Sequence, residues 1–323
     1  MKQFKNILYV AEASVAQGPA VARAVSLATG NQAGLTVVDV VPPVKKAAGA
    51  PPVGPDSAQL QSAIVSARQK ELEYLVAPYR PLMDIAVEVF VGTTFLEVIR
   101  AVLRNDHDLV LKSAENPDWI ARLFGSDDMH LLRKCPCPVW LMKPQEQPKY
   151  SRILAALDFN PNDSHPDRRE EALNRQILGF AGSIAVSDFA ELHLVHAWDA
   201  PEAGFVRLWA DDPDAAEMSM LEGERARHGT GMDALVRMLQ QEIGQEAFDY
   251  LSPRVHLPRG SARKAIPGLV KELKADLVIM GTVSRTGISG FIIGNTAEAI
   301  LDQLQCSVLA IKPPGFVCPV KPE

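Results

Sequence analysis

Short, almost unbroken apolar runs alternate along this chain with longer stretches whose apolar positions recur three and four residues apart. The first half gives runs at Ile7–Val10, Leu35–Val41, Ile85–Val91, Asp108–Leu111 and Val139–Met142. Runs this short and continuous predict strands covered on both faces, hence a mostly parallel sheet. Between them, segments such as Ala58–Leu75 and Phe95–Leu103 read as amphipathic helices. Strand alternating with helix predicts a doubly wound α/β fold. In such folds a ligand sits beyond the carboxyl ends of the strands, where strand order reverses. The chemistry is therefore sought just after the strands.

The pattern occurs twice. Ile7-Leu-Tyr-Val-Ala-Glu12 matches Ile153-Leu-Ala-Ala-Leu-Asp158, and Leu35-Thr-Val-Val-Asp39 matches Leu192-His-Leu-Val-His196. Phe90-Val-Gly-Thr matches Pro258-Arg-Gly-Ser, and His107-Asp-Leu-Val-Leu matches Ala275-Asp-Leu-Val-Ile. Cys137-Pro-Val-Trp-Leu-Met-Lys-Pro matches Cys306-Ser-Val-Leu-Ala-Ile-Lys-Pro. The order is the same, and the second copy carries extra residues in its middle. A polar linker with two prolines, Lys143 to Tyr150, separates the copies. The domains are therefore read as 1–144 and 150–314, with a C-terminal tail at 315–323, each a five-stranded parallel-sheet domain. Two long loops follow the second strand of each copy. Val41–Ser57 is rich in Pro and Gly, and Trp198–Ala215 holds Trp198, Phe205 and Trp209. Both read as surface loops, the second with some aromatics packed down, the alternative being a flap over the site of their copy.

Composition narrows the partners. The 323 residues carry a net charge of −6 and no long basic run, which disfavours nucleic acid and anionic membrane. No apolar run approaches the length of a membrane span, and no secretory leader pattern opens the chain. Four cysteines do not make a disulfide framework in a chain this long. The expected address is the cytoplasm.

The strongest local signal runs from Asp276-Leu-Val-Ile-Met-Gly281 through Ser284 to Gly294-Asn-Thr-Ala-Glu298. A buried strand ends in glycine, a loop follows, and a helix opens at Gly294-Asn295-Thr296. Glycine at 281 lets a ligand approach the backbone. Asn295 is placed to cap the helix, with Glu298 completing a capping box, and the first helical N–H groups form an anion site. Here the chain resembles the universal stress proteins, in their tandem, E-type branch. Nucleotide-binding members carry Gly, two residues, Gly, nine residues, Gly, then Ser or Thr. The spacing is intact, but Ser284 stands for the second glycine and Asn295 for the Ser or Thr, with Thr296 beside it.

The resemblance covers both copies and implies a site residue by residue. Asp158, Val195, Met280 and Gly281 would hold adenine and ribose, and Ser284, Gly294, Asn295 and Thr296 the phosphates of ATP, with Mg²⁺ a candidate companion. A Cβ at 284 costs about 1–2 kcal/mol if that position is left-handed. The first copy argues the other way. Its loop has Ser113 for the first glycine, one residue fewer and Pro117 in the middle. Gly125 survives and Ser126 can cap the helix, but Asp127 and Asp128 would repel phosphate. ATP is expected in the second domain only.

Other signals carry less. No Walker loop, dinucleotide fingerprint or nucleophile elbow is present. Asp158–Asp163 begins like a calcium loop but lacks glycine at the sixth position. His193 and His196 point to opposite faces of one strand. Cys137 and Cys306 read as small buried side chains, and a zinc site using His130 or His165 with nearby acids stays an open alternative. The apolar last strands leave edges that need pairing; the resemblance implies that they pair as a pseudo-dimer within the chain, with whole chains able to pair again as a homodimer. The expected function is stress response through an adenine nucleotide and unidentified protein partners. The alternatives are a slow ATPase, a carrier or sensor of another small molecule such as a lipid precursor, and a structural interaction module.

Overall fold

A computed structural model describes residues 3–12, 17–44, 56–114, 126–143, 149–163, 168–282 and 293–322. The chain forms two compact units, one of residues up to Pro148 joined by the segment from Phe316, the other lying within 149–315. The C-terminal segment belongs with the first unit, where Cys318 Sγ lies 3.2 Å from the Lys134 carbonyl.

In the first unit the strands are β1 (Asn6–Val10), β2 (Gly34–Val41), β3 (Ile85–Val91), β4 (Leu109–Ser113) and β5 (Val139–Met142). They lie in the order β3-β2-β1-β4-β5 with every pairing parallel. The connecting helices are α1 (Gly18–Asn31), α2 (Ser57–Val76), α3 (Thr94–Asn105) and α4 (Asp127–Lys134). The doubly wound reading holds. β2 keeps a near-continuous apolar sequence because helices cover the sheet there, and Val37 and Val38 of β2 and Leu109 and Leu111 of β4 are fully buried. α2 starts at a full capping box between Asp56 and Gln59. The strand after α3 departs from expectation: it continues past Leu111 through Lys112 and Ser113, both buried.

The second unit repeats the arrangement with β6 (Arg152–Ala156), β7 (Glu191–Val195), β8 (Arg254–His256), β9 (Leu277–Gly281) and β10 (Ser307–Ile311). Their order is β8-β7-β6-β9-β10, again parallel throughout. Its helices are α5 (Arg168–Asp188), α6 (Pro213–Ile243), α7 (Gln245–Leu251), α8 (Ala262–Leu273) and α9 (Asn295–Leu301). The extra residues of this copy form the 31-residue α6 and the segment before it. Asp212 caps α6 by accepting from Ala215 N–H, and Pro213 takes its first position, where no donor is lost. Before it, Trp198, Ala200 and Ala203 pack with Met220, Leu221 and Leu257, so the segment after β7 is anchored at its start. Phe205 and Trp209 stay exposed. The loop after β2 falls mostly outside the described residues.

In both units strand order reverses beside the first strand, between β1 and β4 and between β6 and β9. That crevice is where a doubly wound sheet takes its ligand.

Candidate functional site

Register brings the sequence-derived residues of the second unit to one strand end. Ala156 of β6 pairs with Val195 of β7 on one side and Met280 of β9 on the other, with Gly281 next along β9. Asp158 follows two residues beyond Ala156 and is exposed. Its backbone is held by buried Asn174 of α5, whose amide Nδ2 donates to the Asp158 carbonyl at 2.8 Å. Val195 and Met280 are buried. The space a Cβ would take at Gly281 is filled by Leu173, whose Cδ2 would lie 2.7 Å away. Close packing against α5 therefore also requires glycine there.

The far side of the loop is tied back to the same strand. Gly294 N–H donates to the Thr282 carbonyl at 2.8 Å, and Thr282 N–H donates to Ile311 O at 3.1 Å. Lys312 Nζ donates to Thr282 Oγ1 at 2.6 Å, and both residues are buried. Ser284 lies outside the described residues. The capping expectation for Asn295 needs correction. Gly294 is the cap residue, extended at φ −61° and ψ 136°, and its carbonyl accepts from Glu298 N–H at 2.9 Å. Asn295 and Thr296 are the first two helical residues, both exposed, and their N–H groups precede the first intrahelical bond.

Beside this strand end lies a cavity of about 340 Å³ whose lining includes Asp158, Asn160, His196, Trp198, Glu224 and His228. Sequence reasoning singled out Asp158 among these as a ligand residue, placed His196 only on the strand face opposite His193, and put Trp198 in a surface loop. His196 and His228 are bonded Nε2 to Nδ1 at 2.9 Å, and Phe159 stacks on His196 at 3.9 Å. His193 and His196 do take separate partners: His193 Nδ1 lies 2.9 Å from His256 Nε2. Burial, first of all, holds the His193 and His256 imidazoles below their ordinary range.

The first unit fills the equivalent strand end with its own side chains. Val10 pairs with Lys112, as Ala156 pairs with Met280, so a lysine replaces the methionine. Lys112 Nζ donates to Glu12 Oε2 and to Asp128 Oδ1, each at 2.8 Å. Gln17 Nε2 donates to the Glu12 carbonyl at 2.6 Å and its side-chain oxygen accepts from Tyr9. Burial pushes the Tyr9 hydroxyl up, so it remains a donor. Asp128 is thus a buried counter-ion, while Ser126 caps α4 by accepting from Met129 N–H at 3.3 Å. Nearby, Asp39 is paired with Arg68 of α2, yet burial outweighs the guanidinium and holds its carboxyl above the usual range.

Among the described residues no three His, Cys, Asp or Glu side chains gather as a metal site. His130 stacks on Phe95 at 4.3 Å, and His165 lies outside the described residues. Cys137 and Cys306 are buried, as their matching places suggest. No described helix is long and apolar enough to cross a membrane.

Comparison with known proteins gives the chain its relatives. A family model described as the universal stress protein family matches residues 3–143 and 149–312. The chain is similar to Universal stress protein E of Escherichia coli K12, 33% identical over 229 residues, which cover 70% of this chain and 67% of that protein. It is similar to Universal stress protein E of Photorhabdus laumondii, 28% identical across 99% of each chain. Among solved structures it resembles a functionally unknown protein of Pseudomonas aeruginosa PAO1, at 26% identity and TM-score 0.68. That likeness covers 98% of this chain and 95% of the other.

Proposed function

The chain belongs to the universal stress protein family as a tandem, E-type member, and from that premise we propose that its second unit binds an adenine nucleotide, ATP with Mg²⁺. Base and ribose are held by Asp158, Val195, Met280 and Gly281, and the phosphates by Ser284, Gly294, Asn295 and Thr296. The observation that carries this reading is the difference between the two strand ends. Where the first unit has Lys112 locked between Glu12 and Asp128, the second has the neutral Met280 beside Gly281. Asp158 supplies an exposed carboxylate for a ribose hydroxyl or for Mg²⁺. The N–H groups opening α9 supply donors for phosphate. The first unit serves as a companion domain without nucleotide. The protein acts in the cytoplasmic stress response, through partners that read the nucleotide-loaded state and through pairing of whole chains. Isothermal titration with Mg-ATP tests the site. Saturable binding by the wild type, lost in Gly294→Asp, supports it; a folded wild type that takes up no heat sinks it.

A further inference from the structure

The extra residues of the second copy carry an apolar turn on their surface. After β7 the chain makes two short 3₁₀ turns, Pro201–Gly204 and Val206–Leu208, before α6 begins. The inner side of this segment is the packing of Trp198, Ala200 and Ala203 against Met220, Leu221 and Leu257. Its outer side is not covered. Phe205 is 59% exposed, Leu208 75% and Trp209 70%. They stand at i, i+3 and i+4, positions that a helical turn brings to one side. Leu208 N–H donates to the Phe205 carbonyl at 3.0 Å and closes that turn. Met218, in the second turn of α6, is 61% exposed.

This display is held in place. Arg207, within the same turn, reaches back to the start of α6. Its Nη1 donates to Asp214 Oδ1 at 2.7 Å and to Glu217 Oε2 at 2.6 Å. Ala203, on the inner side, is fully buried. Large apolar side chains fixed together in water mark an interaction surface more often than a loop tip. Phe and Trp are also the side chains that anchor protein interfaces. The stretch after β2, residues 41–57, holds no aromatic residue at all.

Charge decides what such a surface accepts. From Asp199 to Glu222 the sequence holds seven carboxylates and one arginine, a net −6 that equals the charge of the whole chain. That arginine is Arg207, already taken up by Asp214 and Glu217. The next cations, Arg225 and Arg227, come further along α6, and Arg227 is paired with Glu224. An apolar centre with an acidic rim repels nucleic acid, anionic lipid and a second copy offering the same face. A segment with Lys and Arg flanking its apolar side chains matches both parts: it buries the aromatic turn and meets the carboxylates.

We propose that Phe205, Leu208, Trp209 and Met218 form a docking surface for a basic amphipathic segment of a partner protein. The surface stands on its own geometry and charge. Its part in the stress response rests on the reading above, that the protein acts through partners.

The probe is a fluorescein-labelled, helix-forming peptide of leucine and lysine, with a leucine–glutamate peptide of the same pattern as control. Anisotropy is read against the full chain, with and without Mg-ATP. The wild type should bind the lysine peptide saturably and leave the glutamate peptide free. Phe205→Ser/Trp209→Ser should weaken binding at least about tenfold, as loss of aromatic anchors does. Asp211→Lys/Glu222→Lys leaves the aromatic turn intact; it should weaken binding to a similar degree and flatten its dependence on salt. All four positions are exposed, and unchanged unfolding midpoints would show that both variants stay folded. If the aromatic variant fails to fold, the charge variant decides.

No binding of the lysine peptide by the wild type, or equal binding by both variants, overturns the proposal. So does uptake onto phosphatidylcholine vesicles that Phe205→Ser/Trp209→Ser abolishes, which assigns the surface to lipid. Self-association abolished by the same variant assigns it to a second copy and overturns the proposal as well. Peptide binding by a chain that takes up no Mg-ATP keeps this surface and sinks the nucleotide reading. Mg-ATP binding without peptide binding does the reverse.

Discussion

Lys112 Nζ donates to Asp128 Oδ1 at 2.8 Å on the strand position that the second unit gives to Met280. Both side chains are almost fully buried, while Glu12, the other carboxylate on Lys112, is about one quarter exposed. Removing one partner of a buried ion pair leaves the other uncompensated, at a cost of about 3–5 kcal/mol. Lys112→Met should therefore destabilise the first unit by about that amount in urea unfolding. Adding Asp128→Ala should restore most of the loss, since the stranded charge is gone and Glu12 can turn to water. Equal stability of Lys112→Met and wild type would remove the ion network from the account.

The loop of the second unit departs from the family pattern at Ser284. If the backbone there is left-handed in the bound state, a side chain opposes it by about 1–2 kcal/mol. Ser284→Gly should then tighten Mg-ATP binding up to about tenfold in isothermal titration, with little change in unfolding midpoint. An unchanged affinity would place residue 284 in an ordinary conformation.

The apolar runs locate the strands to within a residue or two, because burial on both faces leaves few polar positions to blur an edge. The exception is instructive. Sequence reading ends the fourth strand at Leu111, before a charged residue, yet β4 continues to Ser113 because Lys112 finds its carboxylates. One of them, Glu12, stands 100 residues earlier, and no local pattern announces it. The same limit hides His228, whose partner lies on another element, and Asn174, which holds the Asp158 backbone from α5. Local signals place Asp158, Val195, Met280 and Gly281 on strand ends; only the register shows that Ala156 lies between Val195 and Met280. The start of α9 is displaced by one residue because Gly294 adopts the extended cap conformation that Asn295 would otherwise take.

Gly231 lies inside α6, where alanine is ordinarily better by about 1 kcal/mol. A Cβ there would stand 2.2 Å from Phe159 Cε2, on the ring that stacks over His196. Gly231→Ala should lower stability by about 1–3 kcal/mol despite the gain in helix propensity, because a packed ring must move. Thermal unfolding decides it: a raised midpoint would mean that Phe159 yields freely.

Acid should weaken the fold through buried imidazoles. His193 is fully buried against His256, and His107 is buried with Nδ1 3.2 Å from the Ala101 carbonyl. Burial is the main cause that holds all three below the ordinary imidazole range. In the unfolded chain each titrates near about 6.5. As pH falls through that value the unfolded state gains protons that the folded state does not, so stability falls. The loss continues until the folded-state values are passed, and above about pH 7.5 these groups contribute no slope. Unfolding midpoints measured from pH 8 to pH 5 should therefore drop on the acid side. In His193→Gln the drop should be shallower than in the wild type, whatever the variant's stability at pH 8. An identical slope in both proteins would assign the acid loss to groups other than the His193–His256 pair.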